Sequence, residues 1–435
     1  MGNLLGAPVT EKETHVGHTP DGIEYGVSSM QGWRVHMEDA HICEPHVYAL
    51  DEKKCKIELP GHSIFAVFDG HGGTFAAEYA ALNLCRVLSE EPKFVKYAEF
   101  VTEREAKEAS LSTAAERAAY VKSGLDMVEE ALRDAFVNVD AEILKVVQGM
   151  DVPNANVPYH PPVETTSKSS LDGENSNPAN TNNAPVPNDD EDAGTTAVMV
   201  LVTPQWVICA NAGDSRAVFA KGGHKAVPLS YDHKPDDEEE ERRIRAAGGY
   251  VAGGRVEGDL AVSRGLGDFR FKDLPSAVLG TAAGTTAAGG NPTQPNSMND
   301  HAANGSSNTK IVTPEDQKVS PVPDIIVQNR NKELDEFIIV ACDGIWDVQT
   351  NYEGVTTVAN IFEEGERDMG LICEELLDLC LRMGSKDNMT SLVLKFDSQQ
   401  FGEGGGVTVR RQLREQAEQT ENAESTEKAT VVDTG

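Results

Sequence analysis

Residues 196–220 read TAVMVLVTPQWVICANAGDSRAVFA. Three apolar runs, at 196–202, 206–210 and 217–220, are each of strand length and rich in Val, Ile and Phe. Only Thr203-Pro204-Gln205 separates the first two, and Asn211-Ala212-Gly213-Asp214 opens the break before the third. Connections that short join antiparallel neighbours, because a parallel pair needs a crossover of a dozen or more residues. Runs of the same kind recur at 63–68, 337–341 and 391–396. Helical signals are fewer. Leu125, Val128, Leu132, Phe136, Val139, Ile143 and Val147 recur at steps of three and four, which predicts a long helix with one apolar face on a sheet. Residues 75–90, FAAEYAALNLCRVLSE, read as another helix. Asp236-Asp237-Glu238-Glu239-Glu240-Glu241 precedes Arg242, Arg243 and Arg245 and then Gly248-Gly249. Acid first, base last and glycine beyond is the order that complements a helix dipole and stops the helix.

The chain of 435 residues carries 38 Lys and Arg against 71 Asp and Glu, a formal net charge of -33, and is 39% hydrophobic. That suffices to bury a core, and the length fits two or three domains or one large unit with insertions. So acidic a surface repels a phosphate backbone and gains nothing from counterion release, which excludes nucleic acid as a partner and disfavours an anionic membrane. Seven cysteines without a C-x-x-C pair argue against a disulfide framework and for a reducing compartment. With no signal-peptide pattern and no 18-residue apolar run, the expectation is an intracellular soluble protein: cytoplasmic, with nuclear or transiently membrane-associated placement as the other options. Residues 151–192 hold 7 of the 21 prolines and 8 asparagines with one aromatic, Tyr159, and residues 279–310 have no aromatic. Both are expected to be disordered insertions, having too little apolar surface to offset ordering entropy. With residues 1–21 read as an N-terminal arm and 399–435 as a polar, acidic, disordered tail, the folded unit runs from 22 to 398.

The strand-like runs keep ending in aspartate. Residues 64–68 lead into Asp69-Gly70-His71-Gly72-Gly73, residues 337–342 into Asp343-Gly344-Ile345-Trp346-Asp347, and residues 260–267 into Asp268. Glu38-Asp39, just after Arg34, is a fourth acidic spot. If these ends meet, several carboxylates crowd one end of the sheets, an arrangement tolerable only with cations between them. Carboxylate oxygens without companion His and Cys select hard ions, magnesium or manganese, over zinc. Gly70 and Gly344 let the backbone turn sharply and offer a carbonyl as ligand, although Asp-Gly is also the commonest turn dipeptide. The guanidinium fork of Arg34 suits the remaining oxygens of a phosphate, or equally a surface pair with Glu38. His71 titrates near neutrality and suits protonation of a leaving alkoxide, the alternative being a structural role in the turn.

Six segments in order carry a resemblance: Met37-Glu38-Asp39, Val67-Phe68-Asp69-Gly70-His71-Gly72-Gly73, Ala210-Asn211-Ala212-Gly213-Asp214-Ser215-Arg216, Leu260-Ala261-Val262-Ser263-Arg264 with Gly267-Asp268, Cys342-Asp343-Gly344-Ile345-Trp346-Asp347, and Ser385-Lys386-Asp387-Asn388-Met389-Thr390. Together they closely resemble the ordered motifs of the metal-dependent protein serine/threonine phosphatases of the PP2C (PPM) family. The resemblance covers residues 22–398 apart from the two insertions and an unusual stretch at 92–121. It implies an α+β fold, a four-layer α-β-β-α sandwich around a central pair of antiparallel sheets. It implies two ions, Mn2+ or Mg2+, with Asp69 bridging them, Gly70 lending its carbonyl, Asp268 and Asp343 completing the ligands, and Asp214 at a weaker third position. Glu38 and Asp39 would orient metal-bound waters, and Asp387 and Asn388 would support the site. Residues 232–256 resemble the flap beside the active site. The implied reaction is direct hydrolysis of phosphoserine and phosphothreonine in protein substrates by a water bridging the two ions. Arg34 would screen the phosphoryl charge, and His71 would protonate the departing oxygen, an effect worth about 10² to 10⁴ in rate.

Two departures are small-for-small: Gly265 where the family often has alanine, and Ala193-Gly194-Thr195 where it has serine-glycine-serine. Residues 92–121 are charged and partly helical, with no legible chemistry. No cysteine has an arginine six positions later, no G-x-x-x-x-G-K-[ST] loop occurs, and Asp268-Phe269-Arg270 is not the kinase Asp-Phe-Gly, so three other phosphate chemistries are excluded. Two rival readings are a catalytically silent regulatory module of the same fold, which would be expected to lose ligand carboxylates, and a phosphatase of small phosphate esters. Met1-Gly2 permits N-myristoylation at Gly2, although Gly6 stands where Ser or Thr is usual, and one acyl chain gives only marginal membrane contact. Nothing in the sequence demands an interface, so a monomer is expected.

Overall fold

Every residue of Ser63–Phe68 is buried, which a strand achieves only when both its faces are covered. The computed structural model describes residues 4–155, 193–273 and 312–432 and shows what covers them. Numbered in chain order, one sheet runs β1 (Leu4–His18), β2 (Glu24–Arg34), β18 (Met389–Lys395), β17 (Asp335–Ala341), β11 (Arg216–Lys221) and β12 (Lys225–Pro228) from edge to edge. The second runs β16 (Asp324–Asn329), β10 (Trp206–Ala212), β9 (Ala197–Val202), β6 (Ser63–Phe68) and β3 (Ala40–Glu44). All these pairings are antiparallel. A small sheet joins β15 (Leu266–Gly267), β8 (Gly194–Thr195) and β7 (Gly70–His71), and two short hairpins pair β4 (Tyr48–Leu50) with β5 (Lys56–Glu58) and β13 (Val251–Ala252) with β14 (Arg255–Val256).

Period-two alternation sorts each strand between two cores. Phe65 and Val67 of β6, with Val198 and Val200 of β9, meet Val27, Phe219, Ile338 and Leu392 between the two sheets. Their neighbours Ile64, Ala66, Phe68, Met199 and Leu201 face outward onto Leu84 of α1 (Phe75–Glu90), Tyr97 of α2 (Pro92–Ser110) and Phe136 of α3 (Ala114–Val147). On the far side Phe337, Ile339 and Val393 meet Phe362 of α6 (Asn351–Glu363) and Leu376 of α7 (Met369–Met383). The result is the four-layer α-β-β-α sandwich expected. Besides these, α4 (Glu238–Ala246) lies in the flap, α5 (Asp343–Trp346) is a single turn after β17, and α8 (Gly406–Val432) ends the described chain. No helix of the described residues is long and apolar enough to cross a membrane.

Two expectations need correction, and a third gains detail. The N-terminal arm is the edge strand β1, registered on β2 from Lys12↔Met30 to His18↔Glu24; its side chains are largely exposed, so the apolar alternation that marks a strand is weak. The tail is helical from Gly406, because its arginines have a partner: Arg411 and Arg414 converge on Glu375 of α7, which is buried. The stretch at 92–121 is α2 plus the start of α3, broken at Leu111 and restarted by a capping box in which Thr113 and Glu116 exchange hydrogen bonds. Phe94, Tyr97, Ala98 and Phe100 bury its inner face. The expected insertion at 279–310 lies outside the described residues, as does that at 151–192 beyond residue 155.

Candidate metal centre

Strand register brings the acidic residues together. Ala40 pairs with Phe68, which puts Glu38-Asp39 beside Asp69. Ala341 pairs with both Arg216 and Ser391, which brings Asp343 next to Asp214 on one side and Asp387-Asn388 on the other. Carboxylate oxygens of Asp69, Asp214 and Asp343 lie within 4.8 Å of one another. Gly70 and Gly344 are glycine for close approach: a Cβ at the first would strike the Glu38 carbonyl oxygen, and one at the second the Asn388 carbonyl oxygen. Neither has a positive φ, so the close-packed backbone, not a left-handed turn, is what requires them.

Of the site residues singled out from the sequence, all but Asp39, Asp268 and Gly344 line one cavity of about 340 Å³. Arg34 is paired with Asp387, not with Glu38. Asn388 is fully used, its Oδ1 accepting from Glu38 N at 3.0 Å and its Nδ2 donating to the carbonyls of Gln31 and His36 at 2.8 and 2.9 Å. Glu38 in turn accepts from Gly73 N at 3.0 Å. Asp39 lies behind the cavity, where Thr390 Oγ1 donates to its Oδ2 at 2.7 Å while its Oδ1 is buried without a hydrogen-bond partner among the described residues. Asp268 is not in the carboxylate group. Its carboxylate faces His71, with both oxygens 2.9 Å from Nε2.

Sequence reasoning missed Lys234, whose Nζ donates to Asp214 Oδ2 at 2.5 Å, and Arg255 and Asp259, which bring the flap region into the cavity lining. The resemblance of residues 232–256 to the flap marks the segment but not the side chain that reaches inward.

The electrostatics are those of an under-neutralised anion cluster. Burial, then repulsion from Asp343, Asp39 and Asp214, holds the Asp69 carboxyl well above the usual range. Asp343 is raised likewise by burial and by Asp214 and Asp387, and Asp39 chiefly by burial. Burial works against a charged imidazole at His71, but the Asp268 carboxylate outweighs it and raises the His71 pKa. Crowded carboxylates with raised affinity for protons, plus the orphaned Asp39 Oδ1, are the donor set that hard divalent cations fit.

A protein phosphatase 2C profile matches residues 23–145 and 163–389. The chain is 34% identical over 397 residues to protein phosphatase ppm-1.A of Caenorhabditis elegans, covering 91% of this chain and 64% of that one. It is also 34% identical over 401 residues to a probable protein phosphatase 2C of the same organism, covering 91% and 80%. Its fold matches a crystal structure of a phosphatase from Toxoplasma gondii with a TM-score of 0.55 and 19% identity, over 89% of this chain and 96% of that one. Profile, relatives and fold agree with the six motifs, and the chain belongs to the protein phosphatase 2C family of metal-dependent protein serine/threonine phosphatases.

Proposed function

We propose that the cavity at Asp69, Asp214 and Asp343 is the site at which this chain hydrolyses phosphoserine and phosphothreonine in proteins. The observation that carries the reading is the crowding of three carboxylates within 4.8 Å in a cavity that also presents Arg34 and His71. Asp69 and Asp343 would hold the ions with the Gly70 carbonyl, and Asp214 a third, weaker one. Magnesium or manganese, when bound there, lowers the pKa of water and offsets phosphoryl charge. Asp268, expected from the sequence as a ligand, is assigned instead to His71. Its contact fixes Nε2 as a proton donor to the carboxylate, which leaves Nδ1 as the atom that passes a proton to the departing Ser or Thr oxygen. Arg34, oriented by Asp387, binds phosphoryl oxygens. Glu38 and Asp39 orient water, with Asn388 fixing the Glu38 backbone.

The presence of Asp69 and Asp343 speaks against a silent regulatory module. Phosphate release from a phosphothreonine peptide, with and without millimolar manganese or magnesium, tests the reading on wild type, Asp69→Ala and His71→Ala. Metal-dependent turnover that collapses in Asp69→Ala is expected, and an inert, folded wild type with either metal defeats it. Faster turnover of sugar phosphates than of phosphopeptides would favour the small-ester reading. We also propose a cytoplasmic monomer with at most weak membrane contact through an acylated Gly2; a stable dimer in sedimentation, or firm vesicle binding, would overturn this.

A further inference from the structure

We infer that Asp140, together with Lys272, is a positioning residue for His71. The inference rests on the reading of His71 as the proton donor, and Asp140 acts through Asp268 without touching substrate. Asp140 lies on α3 between Val139 and Ile143, both fully buried, and is itself buried. An ionised carboxylate is costly there unless it is paired. Its Oδ1 accepts from Lys272 Nζ at 2.7 Å and from the Gly267 backbone N at 2.8 Å, and Lys272 Nζ also donates to the Gly265 carbonyl at 3.1 Å. All these contacts fall on the segment 265–272, which contains Asp268.

That segment needs holding. Gly267 has φ 80 and Asp268 has φ 54, and an aspartate stays in the left-handed region only where its surroundings fix it. Leu266–Gly267 pairs with Gly194–Thr195, and on the other side of that strand Gly70–His71 pairs with it. The small sheet thus sets the spacing of Asp268 and His71, and the buried ion pair from α3 sets the turn that aims the carboxylate. A buried pair of this kind is weak as a source of stability compared with apolar packing, so its value lies in the geometry it imposes. Without it the turn relaxes toward ordinary φ and the Asp268 carboxylate leaves Nε2.

The test compares two substrates for wild type, His71→Ala, Asp140→Ala and Lys272→Met, with a melting curve for each variant. A phosphothreonine peptide loses an alkoxide that must be protonated; p-nitrophenyl phosphate loses a nitrophenolate that need not be. The His71→Ala loss on the peptide, about 10² to 10⁴, should far exceed its loss on the aryl ester. Asp140→Ala should cut kcat on the peptide by about tenfold or more at unchanged KM and change the aryl ester by less than about threefold, with Lys272→Met smaller in the same direction. Equal factors on both substrates in a folded Asp140→Ala, or no loss at all, overturn the inference. If Asp140→Ala does not fold, Lys272→Met decides by the same criterion. If His71→Ala itself loses equally on both, the proton-donor reading falls and takes this inference with it; a split in His71→Ala alone defeats only the role of Asp140.

Discussion

Replacing Glu240 with glutamine should destabilise the flap by an amount that depends on pH in a calculable way. Glu240 is buried in α4, where its Oε1 accepts from Arg264 Nη2 at 2.7 Å and its Oε2 from Arg243 Nη1 at 2.7 Å and Ser263 Oγ at 2.5 Å. Burial alone would raise its pKa, but Arg264 and Arg243 outweigh it and hold the carboxyl down from 4.5 to about 2. Because the folded value is depressed, the stabilisation is complete above pH 4.5 and is lost as pH falls from there through about 2. At 1.36 kcal/mol per tenfold, the difference is about 3 kcal/mol at pH 7 and, by the same linkage, about 1.4 kcal/mol at pH 3. Urea denaturation of wild type and Glu240→Gln at the two pH values measures the gap directly, since carboxylates common to both proteins cancel. A gap that does not shrink between pH 7 and pH 3, or no gap at pH 7, refutes the assignment.

Gly194→Ala places a Cβ 2.5 Å from His71 Nε2 and closer still to the Asp268 carboxylate; separating that charge-assisted pair costs about 1.5 to 3 kcal/mol, so the melting temperature should drop and peptide turnover should fall by about tenfold or more, checked by steady-state kinetics well below the variant's melting temperature. Asp343→Asn relieves repulsion in the metal-free protein, and should therefore raise its melting temperature while abolishing the gain from magnesium or manganese, which in wild type should reach about 2.7 kcal/mol at a hundred times Kd; calorimetry with and without EDTA reads both. Arg410→Ala, Arg411→Ala and Arg414→Ala together strip α8 of its pairs to Glu375, and hydrogen exchange over residues 406–414 should rise markedly while that of α7 changes little.

How far the sequence could be read depended on what its pattern encodes. Ser63–Phe68, Phe75–Glu90 and the apolar stripe ending at Val147 were legible because burial imposes a continuous apolar run on a strand covered on both faces and an apolar face on a helix, and they fall where β6, α1 and α3 lie. β1 and α8 were not, since an edge strand and an outer helix held by ion pairs carry little apolar periodicity. At the site, the recurrence of aspartate after apolar runs marked Asp69, Asp343 and Asp268 alike. Register then separates them: β17 delivers Asp343 to Asp69, whereas the left-handed turn after β15 delivers Asp268 to His71. Asp140 was hidden because a single acid within an amphipathic helix resembles any polar position until its partner, 132 residues away, is in view.

The negative charge at the cavity exceeds what one divalent cation offsets. His71 with Asp268 and Arg270 with Asp259 can each be set aside as opposite charges that lie together. What remains is Glu38, Asp39, Asp69, Asp214, Asp343 and Asp387 against Arg34, Lys234 and Arg255. Those six carboxylates and three cations leave three negative charges, more than one divalent cation cancels. One ion would leave the raised proton affinity of Asp69 or Asp343 in place, and protonated carboxylates are poor ligands. Arg34 is already paired with Asp387 and Lys234 with Asp214, and Arg255 donates to the Asp259 carbonyl, so none of the three can neutralise Asp69 and Asp343 without abandoning its partner. The sandwich holds these carboxylates on the ends of separate strands in fixed register, which prevents them from spreading apart, and the repulsion so retained is what bound cations relieve.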